Sequence, residues 1–161
     1  VVVLILGTTM LAYAQNVLPE IVVRAANYKY LDAVSPEEAS QPVNMAELSA
    51  AAYDMKGQEF YEDEYDKYFV SFIIPEGKIL AAYDKDGTLL RTAERYEGVG
   101  LPLKVKQAVA TKYPGWSISK DVYLVNYEAT EGVATRKLYK LLLETGDKRM
   151  RVKITDKGEF L

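Results

Sequence analysis

Residues 68–90, YFVSFIIPEGKILAAYDKDGTLL, hold the pattern on which the reading of the fold turns. Tyr68, Val70, Phe72 and Ile74 alternate with Phe69, Ser71 and Ile73, the period of two that lays one face of a strand on a core. Pro75-Glu76-Gly77 turns the chain into Lys78-Ile79-Leu80-Ala81-Ala82-Tyr83. Asp84-Lys85-Asp86-Gly87 turns it again into Thr88-Leu89-Leu90-Arg91-Thr92, with Gly87 able to take the positive φ that tight hairpin turns demand. Three antiparallel strands are expected over 68–92. The same 84–87 stretch shares a fragment of a calcium-binding loop, but Ala82 stands where such a loop needs an acid and its flanks read as strands, not helices. The turn reading is preferred.

The pattern recurs. When 68–90 is laid on 139–161 without a gap, Tyr68 meets Tyr139, Gly87 meets Gly158 and Leu90 meets Leu161. Val70, Phe72, Ile79, Ala81, Tyr83 and Leu89 fall on Leu141, Leu143, Met150, Val152, Ile154 and Phe160. Both copies keep their apolar face in phase, as they must, because a slip of one residue would turn that face to water.

Working outward, Leu101, Val105, Ala108, Val109 and Tyr113 form an apolar helical stripe that opens at Pro102 and ends at Pro114-Gly115, with Trp116 packed beside it. Residues 122–127 read as a strand, 129–134 as a loop and 136–161 as three further strands. Upstream, Leu48, Ala51, Ala52 and Met55 sit at helical spacing, with Asn44 as N-cap and Gly57 as stop. Residues 35–42, with two prolines, read as a linker, and 17–30, rich in β-branched and aromatic residues, as an extended arm or strand. The expected architecture is α+β, an antiparallel β-sheet with helices packed on one face, made of two approximate helix-plus-hairpin repeats. Its divisions are 1–14, 15–43 (arm and linker), 44–100 (first unit) and 101–161 (second unit).

Residues 1–14, VVVLILGTTMLAYA, carry no charge and combine an apolar run with Ala12-Tyr13-Ala14, the h-region and cleavage site of a secretory signal peptide truncated at its start. The apolar run is shorter than the roughly 20 residues a spanning helix needs. A periplasmic or secreted chain with no stable membrane insertion after signal removal is therefore expected.

The 161-residue chain has no cysteine and no histidine, and its net charge is −3. The missing side chains remove thiol nucleophiles, Ser-His-Asp triads, histidine general bases and the usual zinc sites. The charge balance gives no whole-chain attraction for nucleic acid. No phosphate-binding or nucleophile-elbow motif is present, and a nucleotidyl transferase is disfavoured by the lack of histidine and of alternating strands and helices. No catalytic residue, metal ligand or cofactor is assigned.

Gly100-Leu101-Pro102 through Tyr113-Pro114-Gly115-Trp116, followed by Tyr123 to Tyr127 and Tyr139-Lys140-Leu141, resembles the signature of the PepSY-like, β-lactamase-inhibitor-protein-like family. The strand and turn from Lys78 to Gly87 strengthen the likeness, which covers about residues 44–161. The resemblance implies tandem helix-on-sheet units in exported proteins of Bacteroidetes-type bacteria, related to domains that accompany secreted peptidases and are proposed to restrain them. The chain lacks the cysteines of the inhibitor, so no inhibitory residue is carried over.

Two sets of aromatic residues are candidate contacts for a partner, another exported protein. Trp116, Tyr123 and Tyr127 could form a platform, since Tyr and Trp dominate contact hot spots; the competing reading has them covering the sheet beneath a helix. Tyr61 and Tyr65 lie in the run 59–66, EFYEDEYD, where five carboxylates flank two tyrosines. This run reads either as an acidic docking patch or as a solvated connection facing the basic stretch of Arg136, Lys137, Lys140, Lys148, Arg149, Arg151 and Lys153. The function read from the residues is an exported, non-catalytic binding module that restrains or chaperones another secreted protein such as a peptidase. The alternatives are a hydrolase or transferase with an unrecognised carboxylate site and a structural envelope protein. An enzyme should hold carboxylates of raised pKa in a concave pocket, whereas a binder should present an open patch.

Overall fold

The computed structural model describes residues 27–35, 40–131 and 133–161; the 1–14 segment, the arm up to residue 26 and residues 36–39 of the linker lie outside them. The described elements are α1 (Tyr28–Val34), α2 (Gln41–Ala52), β1 (Lys67–Ile74), β2 (Gly77–Asp84), β3 (Leu89–Glu97), α3 (Leu103–Lys112), β4 (Ser117–Glu128), β5 (Val133–Thr145) and β6 (Lys148–Thr155). The six strands form one antiparallel sheet in sequence order, so the fold is α+β as expected. The halves meet inside that sheet, where β3 pairs with β4 from Arg91↔Glu128 to Glu97↔Val122.

The first hairpin follows the period of two. Tyr68↔Tyr83, Val70↔Ala81 and Phe72↔Ile79 are cross-strand partners that all point to the core. In β5 and β6 the pairs Tyr139↔Ile154, Leu141↔Val152 and Leu143↔Met150 stand in the corresponding register. The turns correspond as well. Gly87 N–H donates to the Asp84 carbonyl at 3.0 Å and Gly158 N–H to the Thr155 carbonyl at 3.0 Å, with φ of 79° and 88° at the two glycines. The Asp84 carboxylate closes its own turn by accepting from the N–H groups of Asp86 and Thr88 at 2.9 and 2.8 Å. The third strand expected after β6 is reduced to a single bridge, Ile154↔Phe160, which answers Tyr83↔Leu89 in the first half.

The helical layer departs from the sequence reading upstream of residue 53. Residues 28–34, partly assigned to the extended arm, are helical, because Tyr30 and Val34 fall on one side of a helix and are both fully buried. Of the prolines that suggested a linker, Pro42 instead lies in the first turn of α2, where its missing N–H costs no helical hydrogen bond. The helix therefore starts at Gln41 behind Ser40, not behind Asn44, and stops at Ala52 short of Gly57. Its buried stripe is Val43, Ala46, Glu47, Ala50 and Ala51. α3 follows expectation more closely: Val105 and Val109 are buried on its stripe and Gly115 takes a φ of 80° just past its end.

All three helices contribute to a single core on the same side of the sheet. Tyrosine rings fill much of it, with Tyr123 stacked on Tyr139 at 4.5 Å and Tyr30 edge-on to Tyr127 at 5.3 Å. Such pairs add about 0.5–1.5 kcal/mol each beyond the burial of their area.

Candidate functional site

Two features bear on function, and they lie on opposite sides of the sheet. Beneath α1 and α2 sits a pair of carboxylates. Thr92, Glu94 and Tyr96 share one parity on β3 and are buried, while Arg91, Ala93, Arg95 and Glu97 face outward. Glu94 Oε1 accepts from the Tyr30 hydroxyl at 2.8 Å and from Thr92 Oγ1 at 2.7 Å, and Oε2 accepts from the Tyr96 hydroxyl at 2.9 Å. Glu47 enters from the buried stripe of α2, where Ser35 Oγ donates to Oε2 at 3.1 Å and Oε1 has no hydrogen-bond partner.

Desolvation, with the negative charge of Glu94 nearby, pushes the Glu47 carboxyl up to about 8. Desolvation also raises Glu94, against the lowering effect of its three hydroxyl donors and of Lys137. Lys137 is itself held below the usual lysine range by desolvation, although Asp156, Glu47 and Glu94 favour its charged form. Burial first, then the neighbouring carboxylates, lifts Tyr30 and Tyr96 well above an ordinary phenol. The two carboxylates line none of the described cavities and are 0% and 3% exposed. They are sealed, so a substrate has no route to them without movement of α1 and α2.

The opposite face of the sheet carries no described helix. Its β1–β2 side exposes Phe69, Ile73 and Leu80 at 71%, 77% and 46%. A hollow of about 420 Å³ lies over Phe69, Leu80, Ala82, Ala93 and Arg91, with the Arg91 guanidinium 6.0 Å from the Phe69 ring centre. Across β3–β6 a second hollow of about 480 Å³ has Val122 and Leu142 as its floor and Arg95, Lys120, Lys140, Arg151 and Lys153 around it. The face is thus apolar toward one edge and cationic toward the other.

Of the residues singled out from the sequence, Tyr123 and Tyr127 belong to the core, at 1% and 3% exposure, because their strand parity turns them under the helices. That corrects the partner-binding platform: these two rings offer a partner no surface, and the reading in which they cover the sheet is the one the packing adopts. Trp116 is half-buried just ahead of β4, packed on the core and bordering a cleft with Leu101, Val109 and Ile118. Tyr61 and Tyr65 both contact Tyr68 at the start of β1, Tyr61 stacked at 5.4 Å and Tyr65 edge-on at 6.2 Å and 55% exposed. The Tyr68 hydroxyl donates to the Glu62 carbonyl, which ties the acidic run to this edge. The basic residues of β5 and β6 lie at the other edge of the sheet, so the two charged stretches do not face each other as the solvated-connection reading supposed.

The buried carboxylates escaped sequence reading because β3 was ended at Thr92. The alternation from Arg91 to Glu97 was the available signal, with Glu94 at an inward position between Thr92 and Tyr96. The cationic hollow was visible only as a charge run.

The fold and the open face define an α+β protein with a six-stranded antiparallel meander, covered by helices on one side. Among solved structures it is similar to a DUF2874 family protein from Bacteroides uniformis, at 13% identity and a TM-score of 0.36 over 60% of this chain and 68% of that one. It is also similar to a BLIP-like protein from Bacteroides fragilis, at 16% identity and a TM-score of 0.33 over 62% of this chain and 68% of the other. The description of the second as BLIP-like names the kind of protein that the motifs resembled. No family model matches the chain, and no curated protein does. Among the described residues no helix is long and apolar enough to cross a membrane, and no group of three acidic side chains is placed to hold a metal ion.

Proposed function

We infer that the protein is a non-catalytic binding module that holds another exported protein on the uncovered face of its sheet, in the periplasm or outside the cell. One observation carries this reading: the carboxylates of raised pKa, Glu47 and Glu94, are sealed in the core, while large apolar side chains, Phe69, Ile73 and Leu80, stand in water on the open face. Catalysis needs shifted groups in reach of a substrate, and contiguous exposed apolar surface is characteristic of contact sites. Restraint or chaperoning of a secreted peptidase is the form of binding that the PepSY-like motifs suggest. Trp116, Tyr61 and Tyr65 lie outside the open face and are secondary contacts in this reading.

The test is capture from a native extract of exported proteins, with wild type compared against Phe69→Ser combined with Ile73→Ser. Wild type should retain a partner that the double variant loses while keeping its far-UV circular dichroism. Equal capture by both, or a hydrolytic or transfer activity that Glu47→Gln or Glu94→Gln removes, would overturn the reading.

A further inference from the structure

The cationic hollow over β3–β6 has a chemistry that its own fold does not satisfy. Strand register builds it: Lys140 stands directly opposite Lys153 and beside Val122, and Leu142 lies between Lys120 and Arg151. Like charges directly opposite each other in an antiparallel pair work against pairing. Among the described residues none of Lys120, Lys140, Arg151 and Lys153 has an acidic side chain within ion-pair distance, and Glu97, the nearest acid in register with Val122, is tied to Arg95. The whole chain carries −3, so this concentration of cations on one face runs against the overall balance.

We propose that this hollow is the docking site for an acidic segment of a partner protein, an extended stretch in which carboxylates meet the lysine and arginine heads while apolar side chains settle on Val122 and Leu142. The inference rests on the open-face reading and names the partner's chemistry. An extended chain turns every second side chain to the same face, so a segment with acidic and apolar residues together at those positions meets the cationic rim and the apolar floor at once. The four strands β3–β6 span about 14 Å at roughly 4.8 Å per strand, which about five extended residues cross. Phosphate alone would use the cations and leave the floor wet.

The probe is a seven-residue peptide with glutamate, leucine, leucine and glutamate at every second position and serine between them, followed by amide NMR shifts on the full chain at low salt. Its glutamine counterpart, inorganic phosphate and a single-stranded DNA oligonucleotide serve as competitors. The glutamate peptide should move the amides of Val122, Lys140, Leu142 and Arg151 and bind about tenfold or more tightly than the glutamine peptide, with the preference fading as salt screens the charges. Lys140→Glu with Lys153→Glu should abolish that preference, and the milder Lys140→Ala with Lys153→Ala should weaken it while leaving the far-UV spectrum unchanged. Equal binding of the two peptides, tighter binding of phosphate or DNA at the same amides, or no shift at all overturns the proposal. If it fails while Phe69→Ser with Ile73→Ser still abolishes capture, the acidic-segment inference falls and the open-face reading stands; if both tests fail, both fall.

Discussion

Glu47 shows how one side chain couples the core to solvent pH. Its carboxyl titrates at about 8 in the folded chain against 4.5 when free, because burial and the nearby Glu94 charge penalise the ionised form. Between those two values the folded state keeps a proton that the unfolded chain has lost. Stability from this group is therefore complete below about pH 4.5 and declines as pH rises toward 8, by at most about 1.4 kcal/mol per unit. Glu47→Gln should flatten that decline, and urea denaturation at pH 5 and pH 8.5 should show the variant gaining on wild type at the higher pH. Tyr123 makes the opposite point within the same core: its ring stacks on Tyr139 but its buried hydroxyl has no partner. Removing an unpaired buried hydroxyl should cost nothing, so Tyr123→Phe should match or exceed wild-type stability by about 1 kcal/mol in a thermal melt.

The hairpins are the elements on which the rest is registered. Gly77 begins β2 where a Cβ would lie 2.1 Å from the Arg95 carbonyl oxygen and 2.8 Å from Tyr96 Cα. Backbone atoms cannot yield as a side chain tip can, so Gly77→Ala should destabilise by about 3 kcal/mol and shift the urea midpoint accordingly. Of these elements, β1, β2 and α3 were legible because their periodicity is uninterrupted and their ends carry Pro or Gly. The start of β3 was legible too, but its end was not, since Glu94 and Arg95 look like a polar exit although Glu94 takes a core position. α1 was hidden for a related reason: its tyrosines carry strand propensity, and only the packing of Tyr30 under the other elements selects the helix.

At the scale of the molecule, one sheet and one core run through both halves. β3 and β4 are hydrogen-bonded neighbours, and residues from Tyr30 to Ile154 belong to the same buried cluster. Unfolding should therefore follow a single transition, with near- and far-UV circular dichroism coinciding in urea. Two separate transitions would show that the 44–100 and 101–161 units are independent. Of the candidate site, the sequence revealed the candidate tyrosines and the basic run but not their placement. Tyr123 and Tyr127 read either as a contact platform or as cover for the sheet; they lie inside, and the large exposed apolar residues of the open face are Phe69, Ile73 and Leu80.

The division between the two kinds of information has a physical basis. The sequence by itself determined which residues share a face, because a strand's period of two and a helix's period of 3.6 are local consequences of backbone geometry. The corresponding phases of 68–90 and 139–161 were readable on that account alone. Only the tertiary structure decided which face the helices would cover. That choice sealed Glu47 and Glu94 together and left the cations of β4–β6 in water, and it depends on packing between residues far apart in the chain, which no local period records.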